Sequence, residues 1–148
     1  MVDGDGMGRA LPEAQMMSYA IAGVKPTPAV AYDYAGNTAT FEVSTTDIYE
    51  RHIRSYSMAA GGMITAAEHP MTGAQLKRSV IPGTLSFSVK LGRTLRENRG
   101  QADTLLKPLQ DIFAKSIYGE CRLIFSGKVI DKATRIIGGY DIGEATIE

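Results

Sequence analysis

Glycine and proline cut this chain into short segments, and that punctuation constrains its fold more than any other feature. Breaks fall at Gly23, Pro26 and Pro28, at Gly36, at Gly61-Gly62, at Gly73, at Pro82-Gly83, at Gly100 and at Gly138-Gly139. No apolar run between them approaches the ~18 residues that a membrane span needs. No repeat or low-complexity tract appears.

The segments carry two periods. From Gly8 to Ala22, Ala10, Ala14, Met17 and Ile21 recur at helical spacing, with Pro12 in the first turn and Gly23 as the stop. Val30, Tyr32 and Tyr34, then Phe41 and Val43 beyond Ala35-Gly36-Asn37, alternate as a β-hairpin with one face buried. The hairpin is expected to pack on helices around Ile53 and Val89. Ser44, Thr45 or Thr46 can cap a helix whose stripe is Tyr49, Ile53, Tyr56 and Ala60. Met63–Ala67 reads as a strand, and His69–Gly73 as a turn that leaves His69 half exposed and leads into a helix bearing Lys77. Thr84 can cap the next helix, with Leu85, Val89, Gly92 and Leu95 on one face. Leu105, Leu109 and Ile112 mark another helix, which Pro108 would delay to about Lys107. Arg122–Phe125, Lys128–Asp131 and Glu144–Ile147 read as strands. The sum is an α+β chain with helices packed on a β-hairpin and short strands, and antiparallel strands last.

The 148 residues fit one compact domain, and 44% hydrophobic content is too high for a disordered chain. Sixteen basic and sixteen acidic side chains leave no net charge, which argues against nucleic-acid or anionic-membrane partners. One cysteine, Cys121, excludes an internal disulfide framework. No basic-then-apolar leader opens the sequence. These features point to a cytoplasmic protein.

Chemistry concentrates in Asp3-Gly4-Asp5-Gly6-Met7-Gly8-Arg9. Alternate glycines ahead of a helix present backbone N–H groups to an anion. Arg9 replaces the third glycine of a dinucleotide-binding turn, and Met7 and Ala14 replace ligands of a helix-loop-helix calcium loop. Three readings stay open: an anion cradle, two carboxylates holding a divalent cation, or a turn capped by aspartate. Arg9 and Glu13, four apart, form either an exposed pair or a grip on a substrate carboxylate. Ile81-Pro82-Gly83-Thr84 resembles a second anion-accepting helix start and equally an ordinary capped helix.

In order along the chain, Asp3-Gly4-Asp5-Gly6-Met7-Gly8-Arg9-Ala10 with Pro12-Glu13, Met71-Thr72-Gly73 with Lys77, Ile81-Pro82-Gly83-Thr84, Gly92-Arg93, Phe125-Ser126-Gly127-Lys128-Val129 and Gly138-Gly139 resemble the S-methyl thiohydantoin desulfurase-like family. The resemblance implies hydrolytic loss of sulfur from a hydantoin-type ring, linked to hydantoin utilisation. At the matched positions, residue chemistry makes Asp5 and Lys77 the catalytic candidates. Arg9, Glu13 and Thr84 would bind substrate, and Asp3 with Asp5 would be ligands if a divalent metal serves. No metal is specified. Family members extend beyond both ends of this sequence. Residues 1–118 then correspond to the central part of an N-terminal domain, and residues 119–148 to a β-rich segment leading to a further C-terminal domain. The partners implied are a small hydantoin-like substrate and a second copy of the chain. The alternative is a non-catalytic binding or assembly module that self-associates through an exposed apolar face.

Overall fold

A computed structural model describes the whole chain except the side chains of Ala102 and Asp103. In chain order the elements are β1 (Gly4–Asp5), a 3-10 turn (Ala14–Met16), α1 (Ser18–Ile21), β2 (Ala29–Asp33), β3 (Thr38–Phe41), α2 (Thr46–Ala59), β4 (Ile64–Ala67), α3 (Gly73–Ser79), β5 (Ile81–Pro82), α4 (Thr84–Glu97), α5 (Ala102–Phe113), β6 (Val129–Ile137) and β7 (Tyr140–Ile147). The fold is mixed α+β with antiparallel sheets. The chain forms two compact units rather than the one that its length suggests. A sheet unit comprises Asp5–Ile81 and Thr134–Gly143, and a helical unit comprises Met1–Gly4, Pro82–Ala133 and Glu144–Glu148.

In the sheet unit, β2 pairs antiparallel with β3 on one side and β4 on the other, so that Ala31 faces Ala39 and Ala66. The hairpin turn closes on Asp33, whose carboxylate accepts the Ala35 and Asn37 N–H groups and the Asn37 side-chain amide at 2.9–3.0 Å. The alternation in β2 is present, but its small residues are the buried ones. Ala29, Ala31 and Asp33 point inward, while Val30, Tyr32 and Tyr34 are exposed. The reason lies in α2: Tyr49 is fully buried in a core with Ala14 and Ala29, flanked by Phe41, Val43 and Ile53. A bulky inward residue on β2 would compete with that ring for volume. Phe41 meets Tyr49 edge-on at 5.9 Å. Hairpin packing near Ile53 is therefore realised; Val89 belongs to the helical unit.

The capping chemistry of α2 and α3 is local. Thr45 accepts the Ile48 N–H at the start of α2. Thr72 and Gln75 form a reciprocal capping box on α3. The helix expected from Gly8 to Ala22 is not formed. Glu13 and Met17 are both extended, leaving only the 3-10 turn and the four residues of α1.

In the helical unit α4 and α5 pack through aromatic rings. Phe87 lies 5.1 Å from Phe113 and 4.8 Å from Tyr118, centroid to centroid. That contact selects the Phe87 side of α4 and leaves the expected stripe of Leu85, Val89 and Leu95 exposed. Helix α5 runs from Ala102 straight through Pro108 instead of starting after it. Arg122–Phe125 is not a strand; β6 and β7 form a hairpin around Gly138-Gly139 that absorbs the later strand segments.

Candidate functional site

The helical unit carries its polar groups at the start of α4. Gly83 adopts a left-handed backbone at φ 78°, where a side chain would be strained, and it is the residue that caps the helix. Thr84 therefore becomes the first helical residue instead of the cap, and only 4% of it is exposed. Side-chain capping comes from Asp3. Its carboxylate accepts the Ser86 N–H at 2.9 Å and the Ser86 hydroxyl at 2.5 Å, while its carbonyl accepts the Gly83 N–H. Those Ser86 bonds, hydroxyl first, hold the Asp3 carboxyl below the usual carboxylate range.

Beside this turn lies a cavity of about 270 Å³ between the start of α4 and the turn after α5. Thr84, Ser86, Phe87, Lys90, Lys115 and Tyr118 are among the residues that line it. The lining contains two lysines and no carboxylate. An aromatic wall, hydroxyls and positive charge suit a small planar ligand bearing negative charge.

The sheet unit holds the glycine-rich turn. Asp5 accepts the Met7 N–H at 2.7 Å and the Gly8 N–H, so the carboxylate organises its own loop. Gly6 is buried beneath Tyr19; a Cβ there would lie 2.6 Å from the ring. Arg9 is exposed. Because Gly8–Glu13 is not helical, the four-residue spacing of Arg9 and Glu13 has no geometric force. Glu13 instead accepts hydrogen bonds from the Gln15 amide and the Tyr140 hydroxyl. Lys77 is exposed in the last turn of α3. Asp5, Arg9, Glu13 and Lys77 thus belong to one unit, and Asp3 and Thr84 to the other.

Sequence reasoning missed two features of the sheet unit. The first is a network centred on Arg54, which donates to the Pro12 carbonyl at 2.7 Å, the Gly139 carbonyl at 3.2 Å and the Glu50 carboxylate. The guanidinium also sits 3.9 Å above the Tyr140 ring. Glu50, 8% exposed, accepts the Ala14 N–H at 2.7 Å. The Glu50–Arg54 spacing along α2 was the legible signal; the partners outside α2 left none.

The second is His69, which the structure buries to 3% exposure rather than leaving half exposed. Its φ of 53° is left-handed, and it precedes Pro70, which further restricts its backbone. Its N–H donates to the Pro26 carbonyl at 2.9 Å, and its ring packs 5.8 Å from Tyr19. Neither ring nitrogen has a hydrogen-bond partner; the Glu68 carboxylate stands 4.0 Å from Nδ1. Burial pulls this imidazole below its ordinary pKa, with Glu68 opposing.

Both Asp3 oxygens are engaged by Ser86, Asp5 is turned into its own loop, and no group of three His, Cys, Asp or Glu among the described residues is placed to hold an ion. No helix among the described residues is long and apolar enough to cross a membrane.

Comparison with known proteins was made on this background. Residues 1–43 match the family model described as S-Me-THD-like, N-terminal domain, and residues 44–148 match S-Me-THD-like, C-terminal domain. A protein from Chromobacterium violaceum with a solved crystal structure is similar at TM-score 0.70 and 27% identity, covering 97% of this chain and 39% of its own. The chain thus spans well under half the length of that relative. No curated protein matches.

Proposed function

Because the chain belongs to the S-Me-THD-like family, we propose that it is part of a cytoplasmic hydrolase that removes sulfur from a thiohydantoin-type ring in hydantoin utilisation. The observation that carries this reading is Ser86, which lines the Thr84 cavity and donates its hydroxyl proton to Asp3. In the reaction a water oxygen bonds to the thiocarbonyl carbon and the C–S bond breaks. Sulfur leaves as hydrosulfide carrying one of the water's protons, the other passes to solvent, and the carbon becomes a carbonyl. Negative charge gathers on sulfur during attack. The N-terminal turn of α4 and the Thr84 hydroxyl are suited to stabilise it. Ser86 spends its proton on Asp3, so its remaining lone pairs accept a hydrogen bond from the attacking water. Asp3 acts here as a positioning residue. The reading uses no metal-dependent step.

Sulfide release from a 2-thiohydantoin by the purified chain tests this. Asp3→Asn keeps an acceptor for the Ser86 N–H and removes the charge, so release is expected to fall about 10²-fold with the melting temperature nearly unchanged. Asp5→Asn tests the other catalytic candidate by the same logic, because an amide oxygen can accept the Met7 and Gly8 N–H groups. Sulfide release by Asp3→Asn as fast as by the unsubstituted protein sinks the proposal.

A second reading rests on a different observation. Ile136 and Ile137 are exposed at the end of β6 in the sheet unit, which suits a binding module that self-associates. Light scattering across concentrations should then show a mass above that of one chain, reduced by Ile136→Lys. A constant single-chain mass would remove this reading.

A further inference from the structure

Helix α4 has one face of less exposed positions, Thr84, Phe87, Leu91 and Thr94, at helical spacing. Its opposite face carries two neighbouring rows. Leu85, Val89 and Gly92 form the first, which ends at Arg96; Ser86, Lys90 and Arg93 form the second. Leu85 and Val89 are 39% and 48% exposed. Together with Met1, Leu85, Ser86, Val89, Lys90 and Arg93 line a groove of about 510 Å³ within the helical unit.

Two features bear on what this groove suits. Gly92 stands inside a helix, where glycine is unfavourable, and a Cβ built on it meets open space. Open space beside an interior glycine lets a second backbone approach to the short end of helix packing distances, about 8 Å. The second feature is charge. Lys90, Arg93 and Arg96 are exposed, none is in an ion pair among the described residues, and Glu97 is the one carboxylate of α4.

We propose that this face of α4 docks an acidic amphipathic helix of a partner protein. Apolar side chains of that helix lodge against Leu85 and Val89, its backbone crosses at Gly92, and its carboxylates face Lys90, Arg93 and Arg96. A second copy of this chain is the wrong occupant, because two α4 faces crossing at Gly92 bring like-charged Arg93 side chains together. Docking here and the reaction proposed above stand or fall separately.

Fluorescence anisotropy of the full chain with two labelled, lactam-stapled helices of about 18 residues tests it. Both carry leucine at every third or fourth position; one is flanked by glutamate and the other by lysine. The glutamate helix should bind about tenfold tighter than the lysine helix. Arg93→Glu with Arg96→Glu should reverse that preference; Lys90 is left in place because it also lines the Thr84 cavity. Gly92→Leu should weaken the glutamate helix about tenfold without lowering the melting temperature, since leucine is the better helix former. Unchanged binding in Gly92→Leu overturns the proposed crossing. No binding of the glutamate helix, or equal binding of the two helices, overturns the proposal outright. Phosphatidylserine vesicles bound as tightly as the glutamate helix overturn it in favour of a membrane surface. A two-chain mass by light scattering that Gly92→Leu reduces to one chain overturns it in favour of a contact between copies.

Discussion

Glu50→Ala is expected to cost the sheet unit about 3–5 kcal/mol, the range for removing one partner of a buried ion pair. Two groups lose by it. The Arg54 guanidinium keeps its place over the Tyr140 ring without its counter-charge, and its Nε is already buried without a partner. The Ala14 N–H, at the start of the 3-10 turn beside the core, loses its acceptor. Ala14 itself is one of the three fully packed core residues with Ala29 and Tyr49. Chemical denaturation of the full chain measures the loss. Glu50→Gln should cost less, because an amide oxygen can still accept one of the two bonds. Replacing Glu50 and Arg54 together by leucine should recover part of the deficit, since no charge then remains buried. A loss below about 1 kcal/mol in Glu50→Ala would mean that the network is solvated and the argument wrong.

Acidification is expected to destabilise the sheet unit through His69. Its folded pKa is depressed by burial, so below the ordinary histidine value of 6.5 the unfolded chain binds a proton that the folded chain refuses. More protons on the unfolded state means that stability rises with pH and falls as pH drops. The full contribution is present above pH 6.5. It is lost on descent toward the depressed folded value, at a slope approaching about 1.4 kcal/mol per pH unit. Glu68 at 4.0 Å faces the ring and moderates the effect; Tyr19, which packs on the ring, stays neutral throughout this range, since a phenol ordinarily titrates near 10 and burial and Asp5 raise this one. His69→Asn separates the titration from the backbone, because asparagine tolerates the left-handed conformation and carries no titrating group. Melting temperatures of the parent should fall between pH 6.5 and pH 5 while those of the variant fall much less. Parallel curves would assign the acid loss to other groups.

What the residues themselves determined was local. Thr45 ahead of α2, Thr72 with Gln75 on α3, the glycine pair that stops α2, and the turn after Asp33 all act within a few residues, through bonds that any chain of that composition would make. The order of motifs carried the family resemblance, which the matches over residues 1–43 and 44–148 show to be membership. Periodicity failed where two solutions were locally equal. The pleat of β2 fits either face inward, and only the Tyr49 ring arriving from α2 chose the alanines. The apolar positions before Gly23 suited a helix. The chain there instead forms bonds with distant groups: Ala14 to Glu50, 36 residues away, and Glu13 to Tyr140, 127 residues away. Asp3 capping Ser86 across 83 residues is a pairing of the same kind. Contacts of that separation leave no period or spacing in the sequence, since each partner is locally an ordinary polar residue. Tertiary structure alone decided them, because the energy of a buried charge or cap depends on what is brought beside it rather than on its neighbours in the chain.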